Sequence, residues 1–256
     1  MVGYSSAFTP SSFTPKSSTL TSSTTATKNT HDSTTLSMVT TGPLNCRLKG
    51  IGSAAPKTII TNFDLESVVE TSDEWISTRT GISQRHVLLH NNDDDNNDDD
   101  SSNNKDRESI KTLAADAASQ ALEMSNIKAE DIDLVIVATS SPDDMFGDAT
   151  SVAAALGCVN AVAFDLTAAC SGFLFGSVTA GQFLDNKGNT YKNAIVVGAD
   201  ALSRWVDWDD RNSCILFGDG AGAAVFSVED DDTTAPGILG SSAHSNGLGY
   251  EKLKCG

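Results

Sequence analysis

The sequence predicts an α/β layered fold with a largely buried sheet. Two observations carry this prediction. Apolar residues recur at helical spacing over residues 110–122, and short apolar runs of strand length follow along the chain. Runs that are apolar at every position are typical of strands covered on both faces, and strands that alternate with helices indicate a layered domain.

The predicted elements follow one another regularly. The helix places its apolar residues on one face: Ile110, Leu113, Ala114, Ala117, Ala118, Ala121 and Leu122. A buried strand, L-V-I-V-A, comes next. This strand, the later strands and one longer apolar stretch occupy residues 134–138, 161–166, 172–184, 194–199 and 221–228.

We expect residues 1–44 to form a disordered, targeting-like segment. Residues 1–41 are rich in Ser and Thr, contain no arginine and have Asp32 as their one acidic residue. This composition resembles an organellar transit peptide, and S-S-A-F-T-P at residues 5–10 resembles a plastid import signal. The location is therefore predicted as the plastid stroma, with mitochondrion or cytoplasm as alternatives. A tail without any address is the other interpretation.

A second low-complexity segment, residues 91–105, interrupts the predicted domain of residues 45–256. It consists almost wholly of Asn, Asp and Ser. An EF-hand calcium loop needs a central glycine and a terminal glutamate, which this segment lacks. We therefore expect a disordered acidic insertion.

Composition excludes several kinds of partner. The net charge is −17, with 17 Lys and Arg against 34 Asp and Glu, so no basic surface favours nucleic acid or an anionic membrane. No apolar run approaches the roughly 18 residues of a membrane-spanning helix. The five cysteines lack a C-x-x-C pair, and the four histidines form no ligand cluster, so neither a disulfide framework nor a metal site is predicted.

Cys170 is the candidate nucleophile. It follows the predicted strand at 161–166 and precedes the apolar stretch at 172–184, which places it at a strand-to-helix junction. The positive end of a helix dipole favours a thiolate there. A small cysteine packed at a tight turn is the alternative, and packing is our interpretation of Cys158 and Cys214.

Four motifs together closely resemble β-ketoacyl-acyl-carrier-protein synthase III, a family of the thiolase-like superfamily. They are G-I-G-S-A-A-P (residues 50–56), T-S-D-E-W-I-S-T-R-T-G-I (71–82), D-L-T-A-A-C-S-G-F (165–173) and D-R-N-S-C-I-L-F-G-D-G-A-G-A (210–223). The resemblance covers about residues 46–256. It implies a thiolase-like layered αβαβα fold whose first half is complete and whose second half is largely missing from this chain.

The resemblance implies an acyltransferase that starts type II fatty-acid biosynthesis. Acetyl-CoA would acylate Cys170, and the acyl group would condense with decarboxylating malonyl-acyl-carrier protein. The backbone N–H of Cys170 would form part of an oxyanion hole. The implied partners are acetyl-CoA as substrate, acyl carrier protein and a second copy in a homodimer. No permanently bound cofactor is implied.

The resemblance also assigns the substrate-binding residues. Those that match the family's CoA pocket are Thr71, Trp75, Arg79 and Arg211. Trp75 and Arg79 are four residues apart and would share a helix face, where a guanidinium can stack on an indole. T-S-D-E is also a capping box, so Thr71 would be the N-cap. Without the resemblance, Trp75 would be interpreted as a core residue.

Phe146 matches the aromatic residue that closes the partner's acyl pocket across the dimer. Without the resemblance it would be interpreted as an exposed loop residue. Residues 218–223, G-D-G-A-G-A, lack the G-x-G-x-x-G pattern and a Walker lysine. We therefore interpret their glycines as sites of close backbone packing.

The chain departs from the family's pattern in its second half. The family's catalytic histidine and asparagine lie there, and no residue of this chain matches them; His86 and His244 match non-catalytic positions. A chain ending at Gly256 would expose an apolar face, which predicts aggregation, another partner or an incomplete gene model. Two alternatives therefore stay open: a truncated, non-condensing acyl-CoA-binding or interaction module, and another condensing enzyme of the thiolase superfamily.

Overall fold

A computed structural model of the chain describes residues 39–88, 108–185, 188, 190–228 and 237–252. Within them the order of elements is β1 (Val39–Thr41), β2 (Arg47–Ala54), β3 (Ile59–Thr61), α1 (Asn62–Leu65), α2 (Asp73–Thr80), β4 (Gln84–His86), α3 (Ile110–Ser125), β5 (Leu134–Ala138), α4 (Ala149–Leu156), β6 (Val162–Leu166), α5 (Gly172–Leu184), β7 (Asn193–Ala201), β8 (Asp219–Ser227) and β9 (Ser241–Ala243). Short 3₁₀ turns lie at Ala129–Asp131, Ala169–Ser171, Leu202–Arg204 and Gly247–Lys252.

The two predicted low-complexity segments lie mostly outside the described residues. The structure does not describe residues 1–38 or any of the insertion at 91–105. The end of the first segment is folded, contrary to the expected boundary at residue 44. Val39–Thr41 pair with β9, and Leu44 is buried and donates its backbone N–H to the carbonyl of Ile238. The folded body therefore begins several residues earlier than predicted, because Leu44 packs into the core.

The centre of the fold is a five-stranded mixed sheet in the order β2-β8-β7-β5-β6. Strand β5 lies parallel to both β6 and β7, whereas β8 is antiparallel to β7 and to β2. All five residues of β5 are buried, as their continuous apolar run predicts. Strand β6 lies at the edge and is more exposed than we expected.

Alternate residues of the strands pack against helices on opposite faces of the sheet. On one face, Val135, Ile195 and Val225 pack with α3 and α4. On the other, Ile136, Val196 and Phe226 pack with residues of α5. The seven apolar residues predicted to share one face of α3 are all buried in the first cluster. The described residues thus form three layers, helix, sheet and helix, which confirms the predicted α/β class.

Helix α3 lies directly on the backbone of β2. A Cβ atom on Gly52 would be 2.1 Å from the carbonyl oxygen of Ala117, and one on Gly50 would be 2.1 Å from that of Ala121. No side chain fits between the two backbones at these positions. Glycine on the strand and alanine on the helix therefore allow the close packing of α3.

A smaller unit is built from residues 59–86 and the turn segment after residue 205. It contains the β3-β4 hairpin, α1 and α2. Its own cluster of buried residues includes Leu65, Ile76, Cys214 and Ile215, with Trp75 packed beside them. Among the described residues, no helix has the length and hydropathy needed to cross a membrane.

Candidate active site

Cys170 lies in the 3₁₀ turn between β6 and α5, as the sequence predicts. The preceding residue, Ala169, has a φ of +46°. Non-glycine residues in this left-handed region store about 1–3 kcal/mol of strain and cluster at functional sites. The turn leaves Cys170 exposed at the start of a 13-residue helix.

The other described cysteines are in a different environment. Cys46, Cys158 and Cys214 are all buried. Burial raises the pKa of Cys46 and of Cys158 to about 11, and it also raises the pKa of Cys214. These three thiols stay protonated near neutral pH, which agrees with the structural interpretation of Cys158 and Cys214. Among the described residues, Cys170 is therefore the cysteine whose thiol is accessible for reaction with a substrate.

Helix α2 begins one residue later than its capping-box motif indicates. The side chain of Ser72, not Thr71, caps the helix and accepts the backbone N–H of Trp75 at 3.1 Å. The prediction that Thr71 is the N-cap is therefore wrong. The reason is tertiary: the Glu66 carboxylate accepts the N–H of Asp73 at 3.0 Å and fixes the entry to the helix.

Three of the predicted CoA-pocket residues meet in one stack. The guanidinium carbon of Arg79 lies 4.3 Å from the centroid of the Trp75 ring, and that of Arg211 lies 4.8 Å from it. Arg79 reaches the indole from one turn further along α2, as its spacing predicts. Arg211 comes from the segment before β8 and also donates Nη1 to the carbonyl of Glu70 at 3.0 Å. Both distances fall within the range of cation–π attraction.

Thr71 precedes the N-cap of α2, four residues before Trp75. Its Oγ1 atom is buried and has no hydrogen-bond partner among the described residues. An unsatisfied buried hydroxyl costs about 1–3 kcal/mol, so such an atom is a candidate for binding a ligand. Trp75 itself is half-buried against the third cluster, so packing and stacking both use its ring.

Phe146 is at the tip of the loop between β5 and α4. Its side chain is 92% exposed and that of its neighbour Met145 is 87% exposed. Among the described residues, no hydrogen bond or ring contact joins Phe146 or Cys170 to the Trp75 stack. The predicted site residues thus form one assembled group at Trp75 and two separate positions.

Carboxylates hold the Phe146 loop in place. The buried Asp148 side chain accepts the N–H groups of Asp143 at 2.7 Å and of Asp144 at 3.1 Å. Asp165 on β6 accepts the N–H groups of Asp148 and Ala149 at 2.9 and 2.7 Å. Burial raises the pKa of Asp148. The loop therefore presents two apolar side chains to solvent from a well-fixed backbone.

Of the glycines in the stretch at 218–223, Gly218 packs closely, as predicted, whereas Gly220 and Gly222 would place a Cβ at ordinary contact distance, 3.4 and 3.9 Å from the nearest atom. A Cβ atom on Gly218 would lie 2.9 Å from the carbonyl oxygen of His86. The described residues contain no group of three or more His, Cys, Asp or Glu placed to hold a metal ion.

A buried pair of residues that the sequence did not single out is hydrogen-bonded to helix α2. Asn62 is fully buried, and Arg85 is 5% exposed. The Nη2 atom of Arg85 donates to Oδ1 of Asn62 at 2.9 Å. No local motif marks either residue, because the pair is formed only when β4 returns beside α1.

Comparisons with known proteins point to one family. A family model described as 3-oxoacyl-[acyl-carrier-protein (ACP)] synthase III matches residues 164–247. The curated beta-ketoacyl-[acyl-carrier-protein] synthase III of Acaryochloris marina is 51% identical over 204 residues, covering 80% of this chain and 55% of the relative. The chloroplastic enzyme of that name from Arabidopsis thaliana is 46% identical over 215 residues, covering 82% and 48%.

Solved structures agree with these relatives. The 3-oxoacyl-[acyl-carrier-protein] synthase III from Aquifex aeolicus has 42% identity and a TM-score of 0.63, covering 73% of this chain and 55% of its own. The priming beta-ketosynthase of the R1128 polyketide pathway has 31% identity and a TM-score of 0.62, covering 74% and 52%. The chain spans about half the length of the curated relatives it matches.

Proposed function

Because the chain belongs to the β-ketoacyl-[acyl-carrier-protein] synthase III family of the thiolase-like superfamily, we propose that it carries the acyl-accepting thiol of an enzyme that starts type II fatty-acid synthesis. In this proposal Cys170 accepts an acetyl group from acetyl-CoA and passes it to malonyl-acyl-carrier protein. The observation that carries the proposal is the exposed thiol of Cys170 at the β6–α5 turn, while Cys46, Cys158 and Cys214 are buried.

The proposed chemistry has two covalent stages. The Cys170 thiolate attacks the acetyl carbonyl, and the sulfur of CoA leaves. Loss of CO₂ from the malonyl thioester then creates a carbanion, which attacks the acetyl carbon and releases the Cys170 thiolate. Acetyl-CoA and malonyl-acyl-carrier protein thus give acetoacetyl-acyl-carrier protein, CoA and CO₂, with no redox change and no permanently bound cofactor. The covalent intermediate divides a difficult carbon–carbon bond formation into two easier steps.

The Trp75 stack is the proposed site for the nucleotide of CoA. Indole and guanidinium planes bind a purine by stacking, and a guanidinium also binds phosphate. Arg79 and Arg211 already lie within 5 Å of the Trp75 ring centre, at 4.3 and 4.8 Å. The buried, unpartnered hydroxyl of Thr71 adds a group that a polar ligand could satisfy.

A homodimer, a carrier-protein partner and a plastid location complete the proposal. Phe146 would close the acyl pocket of the second copy, and its exposure on an anchored loop supports this role. The chloroplastic Arabidopsis relative supports the plastid location. Residues 1–38, which would carry the import signal, lie outside the described residues.

The experiment that tests the function is an assay of the native protein with acetyl-CoA and malonyl-acyl-carrier protein. We expect acetoacetyl-acyl-carrier protein by mass spectrometry, with one CO₂ released for each product formed. Acetyl transfer to the protein without CO₂ release would favour the non-condensing acyl-CoA module. Condensation with a free malonyl-CoA acceptor, but not with the carrier protein, would favour another condensing enzyme of the superfamily.

We expect Trp75→Ala to weaken the binding of CoA about 10- to 100-fold, because base–aromatic stacking contributes about 1–3 kcal/mol. Isothermal titration of the purified protein with CoA measures the effect. Trp205→Ala is the control, since it removes the same type of side chain from an exposed position outside the stack. An unchanged dissociation constant for Trp75→Ala would leave Trp75 with a packing role only.

A further inference from the structure

Arg85 is a buried cation whose partners are neutral. Its Nη2 atom donates to Oδ1 of Asn62 at 2.9 Å and to the carbonyl of Ile215 at 3.1 Å. Nη1 donates to the carbonyl of Ile60 at 3.3 Å, and buried Nε has no partner among the described residues. Burial without a carboxylate lowers the pKa of Arg85. A buried charge with neutral partners is costly, so its geometric role needs an explanation.

Asn62 connects Arg85 to both ends of α2. Its Nδ2 atom donates to Oδ1 of Asp73, the first residue of the helix, at 2.8 Å. The same atom donates at 2.8 Å to the carbonyl of Ile82, just beyond the last helical residue. One buried amide therefore fixes the position of the helix that carries Trp75 and Arg79.

Ile215 connects Arg85 to the segment that carries Arg211. This segment is a turn with internal hydrogen bonds. The backbone N–H of Cys214 donates to the carbonyl of Asp210 at 3.0 Å, and the Asp210 carboxylate accepts the N–H of Asn212 at 3.0 Å. Arg85 thus binds a compact turn only four residues from Arg211.

We propose that Arg85 and Asn62 are positioning residues that set the separation between Arg211 and the Trp75 ring. The path runs from the Ile215 carbonyl through Arg85 and Asn62 to both ends of α2. The inference rests on the proposed function where it identifies the stack as the nucleotide site. The coupling of α2 to the 210–216 turn does not depend on the proposed function.

The consequence is different for the two stacked arginines. Arg79 and Trp75 are on the same helix, so their contact survives a shift of that helix relative to the 210–216 turn. Arg211 is on the turn, so its contact with the indole depends on the Arg85 path as well as on its own Nη1 bond to the Glu70 carbonyl at 3.0 Å. Loss of this path should release Arg211 selectively.

Arginine side-chain NMR of the full, ligand-free protein tests this difference. The ring current of Trp75 shifts the side-chain resonances of both arginines, and Arg79→Lys and Arg211→Lys assign them. In Arg85→Met we expect the Arg211 resonances to return toward unperturbed values while those of Arg79 keep their shift. Arg85→Lys retains the charge but cannot reach both partners, so it should change Arg211 in the same direction, by less.

Leu113→Ala is the control for a general loss of stability. Leu113 lies on α3 and is buried in the first cluster, and its truncation destabilises the protein without touching the Arg85 path. Both arginines should keep their shifts in this variant. An unchanged Arg211 in Arg85→Met, or an equal loss at Arg79 and Arg211 in that variant, would overturn the inference.

CoA titration separates this inference from the proposed function. We expect Arg85→Met to raise the dissociation constant for CoA about three- to tenfold, the range for one lost stacking cation, while Leu113→Ala leaves it unchanged. If the wild-type protein does not bind CoA but Arg211 alone is released in Arg85→Met, the nucleotide assignment is wrong and the positioning role stands. If CoA binds equally well to wild type and Arg85→Met, the positioning role is wrong for the ligand site.

Discussion

Replacing Cys170 with serine is expected to abolish the transfer of radiolabelled acetyl groups from acetyl-CoA to the protein. A thiol is partly ionised near neutral pH and is strongly nucleophilic, whereas a serine hydroxyl needs an adjacent base to react. Serine has nearly the same size, so the β6–α5 turn should keep its backbone. Scintillation counting of the precipitated protein and intact-mass spectrometry both measure the effect.

Cys158→Ala is the matched control for this experiment. Cys158 is buried, and its pKa is raised to about 11, so its thiol has no access to acetyl-CoA and little thiolate at neutral pH. We expect this variant to take up label like the wild type. Retained labelling in Cys170→Ser would remove Cys170 from the mechanism. A wild-type protein that takes up no label would contradict the acyl-transfer proposal itself.

Substituting Gly52 with alanine is expected to destabilise the protein by about 3 kcal/mol or more, because overpacking of this kind forces the backbone to move. The new Cβ would lie 2.1 Å from the Ala117 carbonyl oxygen and 2.8 Å from the Ala121 amide nitrogen. Both are backbone atoms, so the helix would have to move away from β2. For a domain of about 200 residues this loss lowers Tm by about 6–12 °C, measured by thermal unfolding.

Gly222→Ala provides the comparison on the neighbouring strand. Gly222 pairs with Ser53 of β2, and its added Cβ would meet only the Gly52 carbonyl oxygen at 3.9 Å. That distance is an ordinary contact. Because alanine also reduces the entropy of the unfolded chain, we expect Gly222→Ala to stabilise the protein by about 0.4–1 kcal/mol. Equal losses in the two variants would mean that strand flexibility, not the approach of α3, explains the result.

Elements with one strong local pattern could be predicted from the sequence. The helical spacing at 110–122 reports a single buried face, and all of its apolar residues are buried in α3. The run at 134–138 coincides with β5 because every residue of a central strand is covered on both faces. Cys170 was placed correctly at a strand-to-helix turn for the same reason: the elements on either side are strongly apolar.

The finer parts of the site depend on contacts between distant segments. Thr71 and Ser72 are both good N-caps, and the choice of Ser72 reflects the Glu66 carboxylate that binds the N–H of Asp73. Arg85 and Asn62 are 23 residues apart and face each other only in the folded unit. No periodicity or motif predicts such a pair, because the sequence around each residue looks like that of an exposed polar position.

The strand order has a consequence for biosynthesis. Strand β2 pairs with β8, so the hydrogen bonds between residues 47–54 and 221–227 can form only after the second segment has been synthesised. At a synthesis rate of about 5–20 residues per second, about 10–35 s pass between the emergence of the two strands from the ribosome. Helix α3 packs on both strands, so its contacts with β8 also form only at the end of that interval. The sheet is therefore completed only after β8 has been made, and a nascent chain of this protein is an expected client of chaperones that shield exposed apolar segments.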